Sequence, residues 1–503
     1  MQQKLRTISS SVVRIVSSNY FFYAIVAYFV LNSLWFVFTA LYPMAFDEEF
    51  HLGIIHIYAQ GWSPFITVQP AGTEYLSGVT RDPSFLFHYV MSFPLRFVQL
   101  FTDSQFVQII VLRLLNVAFL GSSLFIYRRL LLNAKLSNFV VHGALALFVL
   151  IPIVTFLGAQ INYDNVMIPL TGLALIHALK ILTAWRSGNW SIKNVLILLA
   201  IMLVASVIKY VFLPLAVGIV LYMAWTLYRS LTLKKLQVRS FKKEASAVSK
   251  KTYLIAGGVV IILLTLFVQR YGVNTITYGT PLPSCDQVLS IDECRSYGPW
   301  NRNYNMAQQL PPDFSPNVVQ FTAEWFFGLW MRCLFTIAGL ANNYENYRPL
   351  PAIGTTVIVL AITGFIVLLT QLKRVFKGQH ALQLFMVMAL VYCGILYMEN
   401  FSQYKETGHF VAINGRYLLP LLPLIFVIYA RAFGSLFARL HARSASALLG
   451  LLVLLVFLLQ GGGASGWIVQ SSRAWYWQNN VMESVNQTTR TLLKPFIISE
   501  RSQ

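Results

Sequence analysis

The feature that most constrains this chain is a succession of apolar runs, each about as long as a bilayer is thick. The first, from Tyr20 to Leu41, contains no charged residue. About 20 such residues span the hydrocarbon core as a helix, whose backbone polar groups are satisfied within the segment. The expectation is an all-α integral membrane protein. The composition, 57% hydrophobic and 11% charged, agrees, and it makes a domain count by length misleading. The first run is too long for a signal-peptide core and no cleavage site is evident, so it reads as a retained helix.

A net charge of +20 invites a nucleic-acid partner, but the basic residues fall in short clusters between the apolar runs. That pattern orients spans and favours anionic headgroups, so the expected surroundings are membrane lipids and no nucleic acid. Lys4, Arg6 and Arg14 put the start of helix 1 (20–41) in the cytoplasm and deliver Asp47 to the outer face. The next basic flank, Arg128, Arg129 and Lys135, is again cytoplasmic, so an odd number of spans lies between. Residues 84–101 hold His88, Pro94 and Arg96 and read as an interfacial helix, leaving 107–127 as helix 2. The loop 42–106 then carries two interfacial helices.

Helices 3 (137–158) and 4 (to 184) meet outside at Asn162-Tyr163-Asp164-Asn165, and helices 5 and 6 meet outside near Lys209. The basic loop 229–251 is the strongest cytoplasmic marker. Helix 7 (252–269) closes a transmembrane module, 1–269, and ends at Arg270. Residues 270–350 form a long external loop, with an aromatic interfacial helix expected over 324–332. Cys285 and Cys294 share this loop and pair if the compartment is oxidising, although spacing does not fix their geometry. Helices 8 (351–371), 9 (380–399), 10 (416–436) and 11 (446–463) form the C-terminal part, 351–463. The tail 464–503 lies outside and is read as unfolded. In this topology every one of the eighteen acidic residues except Glu244 falls on the outer side. The four cysteines give no metal-finger spacing and no C-x-x-C pair.

Phe46-Asp47-Glu48-Glu49-Phe50-His51 places three carboxylates and an imidazole in five positions just after helix 1. On a helix, Asp47 and Glu48 share a face with His51. Such a group serves as a general base with its partner or ligates a divalent cation, and the plain alternative is an acidic helix start favoured by the macrodipole. Asp164 is a second outer-edge acid, or simply a helix-start residue. Lys209, Arg270 and Arg416 are cations at outer helix ends, where a lipid-linked phosphate would lie; the alternative is snorkelling to ordinary headgroups. Arg416 sits in Gly415-Arg416-Tyr417-Leu418-Leu419-Pro420-Leu421-Leu422-Pro423, whose glycine and two prolines suggest a helix break lining a cavity. His51, Tyr163 and Tyr417 complete the candidate set. Glu74, Arg81, Asp82, Glu345, Arg348 and His409 are unranked candidates for the acceptor side.

The layout resembles the GT-C superfamily of membrane glycosyltransferases. The Asp47-Glu48-Glu49-Phe50-His51 run is similar to the Asp-Glu-x-His element of protein O-mannosyltransferases, with one extra residue before the histidine. Gly415 to Pro420 looks like the Gly-Arg-Tyr-x-x-Pro element of bacterial members. The resemblance implies a GT-C-like bundle of about 11 transmembrane helices in a bacterial inner or cell membrane. It implies inverting sugar transfer from a polyprenyl-phosphate donor to a hydroxyl of a glycan, lipid or protein acceptor, on the extracytoplasmic face. Asp47 would be the base, and Arg416, Lys209 and Arg270 would hold the leaving phosphate. Glu48 and Asp164 would orient groups or hold an optional divalent metal, to which the resemblance does not commit. Other classes are a ligase or polymerase of lipid-linked glycans, and a transporter of lipid-linked saccharides, which would place ionisable residues at mid-membrane.

Overall fold

A computed structural model describes residues 2–496 apart from 46, 234–235, 237–240, 242–243, 247–248, 336–350, 441–442, 460–464 and 471–472. Glu345 and Arg348, named above for the acceptor side, lie outside the described residues. The described chain is helical, with one isolated antiparallel bridge between Ala40 and Tyr476. In order, the first helices are α1 (Gln2–Val16), α2 (Asn19–Thr39), α3 (Glu48–Ala59), α4 (Leu86–Gln99), α5 (Gln105–Asn133), α6 (Asn138–Leu150), α7 (Pro152–Gly158), α8 (Asp164–Arg186), α9 (Ile192–Ile208) and α10 (Phe212–Thr232). Eight described helices are long and apolar enough to cross a membrane, and α6 with α7 makes a further bent pair. The shorter apolar helices Ile192–Ile208 and Ser444–Leu458 occupy the positions expected for helices 5 and 11. The chain is a multi-pass membrane protein.

The two helices expected in the first loop are α3 and α4, packed side by side. Arg96 of α4 fastens them: its guanidinium donates to the carbonyls of Ala59 (3.1 Å) and Gly61 at the end of α3 and lies 4.2 Å over the Trp62 ring. A cation there also complements the negative end of the helix dipole.

Several boundaries differ from the sequence reading. Helix 3 is broken by 72° between α6 and α7, because Pro152 has no N–H to continue the ladder and starts a new helix instead. The seventh span runs to Tyr278, through a wider turn at Val268–Gly272, so Arg270 lies within it and not at its end. Some of its polar groups bond to the first loop: Asn274 donates to the Arg81 carbonyl. Helix 9 continues to Thr407, past Glu399 and Asn400, since Asn400 accepts from Trp325 Nε1 at 3.0 Å; Gly408, at φ +70°, then ends it. Helix 10 starts at Leu422, with Pro423 in its first turn, so Arg416 belongs to a short 3₁₀ turn, Gly415–Leu418, ahead of it.

The tail is folded, contrary to expectation. Trp475 and Tyr476 are buried, Leu41 N–H donates to the Trp475 carbonyl, Trp477 N–H donates to that of Thr39, and Asn480–Leu493 is helical. The aromatic run supplies the apolar anchor that a charge and hydropathy reading passes over. In the long loop Cys285 and Cys294 form a disulfide, and the expected aromatic helix lies within Val318–Phe335. This loop packs on the first one: a Cβ on Gly78 would meet the Val288 side chain at 2.8 Å, and Phe50 faces Tyr297 with ring centroids 6.1 Å apart.

One ion pair holds the turn between α2 and α3. Glu48, fully buried, receives Arg113 Nε at 2.8 Å and Nη2 at 2.7 Å from mid-α5, together with the backbone N–H of Met44 (2.8 Å) and Ile161 (3.2 Å). Arg113 Nη1 also caps the carbonyl of Ala40 at 2.7 Å. Removing one partner strands a charge in a low-dielectric interior, which costs about 3–5 kcal/mol. We expect Arg113→Leu to lower stability by that amount in a denaturant titration of the detergent-solubilised protein. The Glu48→Leu/Arg113→Leu pair should recover part of the loss.

Candidate active site

Three neighbouring residues face three different ways. Asp47 adopts φ +72°, a left-handed conformation that aspartate tolerates better than most side chains, and it precedes α3 instead of joining it. The single helical face expected for Asp47, Glu48 and His51 is therefore not formed. Asp47 points to Arg416, Glu48 to Arg113, and His51 to His88.

Arg416 Nη2 donates to Asp47 Oδ2 at 2.7 Å, joining residues far apart in the chain. The turn that carries it is shaped locally: the Asn414 side chain accepts from Arg416 N–H at 3.0 Å, and Tyr127 O–H donates to the Pro420 carbonyl at 2.6 Å. Behind this pair, Asp164 Oδ1 meets Lys209 Nζ at 2.5 Å, and Asp164 Oδ2 lies 4.0 Å from Arg416 Nε. The result is an alternating row, Asp47, Arg416, Asp164, Lys209. Side-chain exposure falls along it from 46% at Asp47 to 8% at Arg416 and 1% at Asp164 and Lys209. A ligand therefore meets Asp47 first.

Aromatic rings wall the cations. Lys209 Nζ lies 4.4 Å from the Tyr163 ring centroid and 5.3 Å from that of Tyr417, and the Arg416 guanidinium lies 5.5 Å from Tyr417. Both tyrosines of the candidate set thus stand at the row, supplying the negative faces of their rings to buried cations.

His51 is fully buried, its Nδ1 2.9 Å from His88 Nε2, and its ring packs edge-on against Tyr163 at 4.4 Å. One imidazole must donate to the other, so the two have opposite roles at that contact and the acceptor ring is neutral. Burial pushes the His51 pKa well below its ordinary value, assisted by His88, Arg416 and Lys209; burial pushes His88 down to about 3. His88 belongs to the site and the sequence reading missed it. Its signal was there, as a histidine within an apolar interfacial helix.

Two assignments change. Glu48 is not available as a catalytic group, because both its oxygens are taken by Arg113 and backbone N–H groups; it positions the Asp47 turn. Arg270 does not join the row. It is buried in a separate pocket, donating to the Thr80 carbonyl, with its guanidinium 4.9 Å from the Phe85 ring and 5.3 Å from the Phe65 ring. Its Nε and Nη2 have no hydrogen-bond partner among the described residues. Burial raises the pKa of Asp82, which senses the Arg270 charge but makes no ion pair with it. Nor does the row suit a divalent cation. Its carboxylates are already opposed by Arg416 and Lys209, and no group of three His, Cys, Asp or Glu among the described residues is arranged to hold a metal ion.

No family profile matches the chain, and no curated protein matches it. Among solved structures, the crystal structure of ArnT from Cupriavidus metallidurans bound to undecaprenyl phosphate aligns with 98% of this chain and 70% of its own, at 13% identity and a TM-score of 0.41.

The buried imidazoles predict an acid sensitivity. The unfolded chain protonates them near pH 6.5, while the folded chain does not until well below that. Their contribution is therefore intact above pH 6.5 and is lost as pH falls toward their folded values, by up to about 1.4 kcal/mol per pH unit for each. Between pH 6.5 and 5, the Tm of His88→Phe should fall less steeply than that of the wild type.

Proposed function

We propose that this chain is a GT-C-type glycosyltransferase that moves a sugar from a polyprenyl-phosphate donor to an acceptor hydroxyl at the Asp47 end of the bundle. The observation that carries the reading is the exposed carboxylate of Asp47 held by a nearly buried arginine, with a second cation behind it. Buried charges in a membrane protein are costly to keep, and such an arrangement is a functional candidate by default.

The chemistry divides between the two kinds of group. A free hydroxyl is too weak an acid to ionise unaided, so Asp47 takes its proton as the acceptor oxygen bonds to the anomeric carbon. The bond from that carbon to the phosphate oxygen breaks in the same displacement, and the configuration inverts. The departing lipid phosphate is an anion that needs cations and no proton donor. Arg416 provides a planar fork for two of its oxygens, and Lys209 adds a point charge behind.

The resting pair suggests an order of events. With no anion present, Arg416 holds Asp47. A donor phosphate competes for the same guanidinium, and as it binds, Asp47 is released to accept a proton. Donor binding thus frees the base. His51 and His88 hold Tyr163 in place against Lys209, and Glu48 holds the turn that carries Asp47. The disulfide in the long loop supports an oxidising, extracytoplasmic side for this end of the bundle.

Asp47→Asn keeps the shape and the left-handed backbone but cannot take a proton. With a radiolabelled polyprenyl-phosphate sugar and purified protein, it should lose about 10²- to 10⁴-fold in transfer while still binding the donor. Transfer at the wild-type rate would remove Asp47 as the base. Arg416→Lys, which loses the fork and keeps the charge, should raise the donor KM about tenfold; an unchanged donor KM would remove Arg416 from the phosphate site.

A further inference from the structure

The folded tail contains a second cleft, of about 470 Å³, between the Tyr476–Asn480 turn and the helix Asn480–Leu493. We propose that it binds a neutral saccharide, which under the transferase reading above is part of the acceptor held away from the transfer point.

The lining is rich in carboxamides, with Asn480, Asn486 and Gln487 beside Trp477, Glu483 and Arg490. Two polar atoms there are buried without a partner: Asn486 Oδ1, on a residue 6% exposed, and Trp477 Nε1. One is an acceptor and the other a donor. An apolar occupant would cover the carboxamides of this lining without giving them partners, at roughly 1–3 kcal/mol for each, and is disfavoured. An anion is disfavoured, because Glu483 lies in the cleft and Arg490 is engaged by the protein: its guanidinium stacks 5.2 Å from the Tyr476 ring and its Nε donates to the Ile468 carbonyl at 3.2 Å. What remains is a neutral ligand whose groups both give and accept hydrogen bonds. A hydroxyl does both, and vicinal hydroxyls match the paired donors and acceptor of a carboxamide.

The cleft is tied to the site. Tyr476 bridges Ala40, Trp477 N–H bonds the Thr39 carbonyl, and Trp477 packs edge-on against Phe106 at 5.1 Å, at the end of α5 that leads to Arg113. From Ala40 the chain runs directly to Asp47. The walls are rigid, with Tyr476 also packed against Trp35 at 5.3 Å.

The test reads binding without turnover. The full-length protein in phospholipid nanodiscs, free of maltoside detergent, is mixed with maltotriose, mannotriose or chitotriose, and saturation transfer from protein to sugar is measured by NMR. At least one trisaccharide should receive saturation, and the affinity should fall about fivefold in Gln487→Ala and further in Asn486→Leu. Gln487 is exposed, so its variant remains informative if Asn486→Leu fails to fold. Asp47→Asn should bind the sugar as the wild type does. No saturation with any of the three sugars would mean a water-filled cleft and overturn the proposal, as would undiminished binding in both tail variants, or loss of binding in Asp47→Asn. Sugar binding by a wild-type protein that transfers nothing from the polyprenyl donor would instead overturn the transferase reading and leave this one standing.

Discussion

The site depends on a buried ion pair that does no chemistry. Glu48 and Arg113 are both fully buried, and the carboxylate accepts from α5, from its own turn and from the segment before α8. Three elements of different origin therefore converge on one carboxylate. In a low-dielectric interior such a pair tolerates neither a missing partner nor a loose geometry. The next residue in one direction is Asp47, and three positions after Ile161 is Asp164. Fixing Glu48 thus fixes the base of the turn carrying one acid of the row and the start of the helix carrying the other.

Electrostatics explains why the row alternates. Two carboxylates or two cations side by side in this interior would repel strongly, whereas Asp47, Arg416, Asp164 and Lys209 neutralise one another in sequence. Alternation also couples the row, because the Arg416 guanidinium faces Asp47 at 2.7 Å and Asp164 at 4.0 Å, and Asp164 in turn holds Lys209. The tyrosines and the imidazole pair beside it add shape without adding charge, because His51 is held neutral by the same burial that isolates the row. Arg270 shows the contrast. It is as deeply buried as Lys209, yet it faces aromatic rings and a carbonyl, with no carboxylate in ion-pair range among the described residues.

The segments between spans are as organised as the spans. The disulfide-closed part of the long loop lies on Gly78, Tyr297 lies on Phe50, and the tail adds a short strand-like pairing to residues 39–41. All three cover the end of the bundle where the row opens. Enclosure of this kind keeps water from the row, and the electrostatic interactions inside it are stronger for that.

Much was legible without coordinates. Apolar runs longer than a bilayer core placed the spans and the two helices of the first loop, and singled out the candidates Asp47, Asp164, Lys209 and Arg416, since these signals depend on local hydropathy and on the rarity of charge near lipid. Only the tertiary structure decided which charge meets which. Arg113 was invisible as the partner of Glu48, and His88 as the partner of His51, because pairing across distant segments leaves no trace in spacing. Helix ends at Arg270 and Glu399 were misplaced for the same reason, since polar groups that look like loop bond elsewhere in the fold, as Arg270 Nη1 does to the Thr80 carbonyl and Asn400 to Trp325. The left-handed backbone at Asp47, which turns one acidic cluster toward three separate partners, is likewise a product of the packing around it.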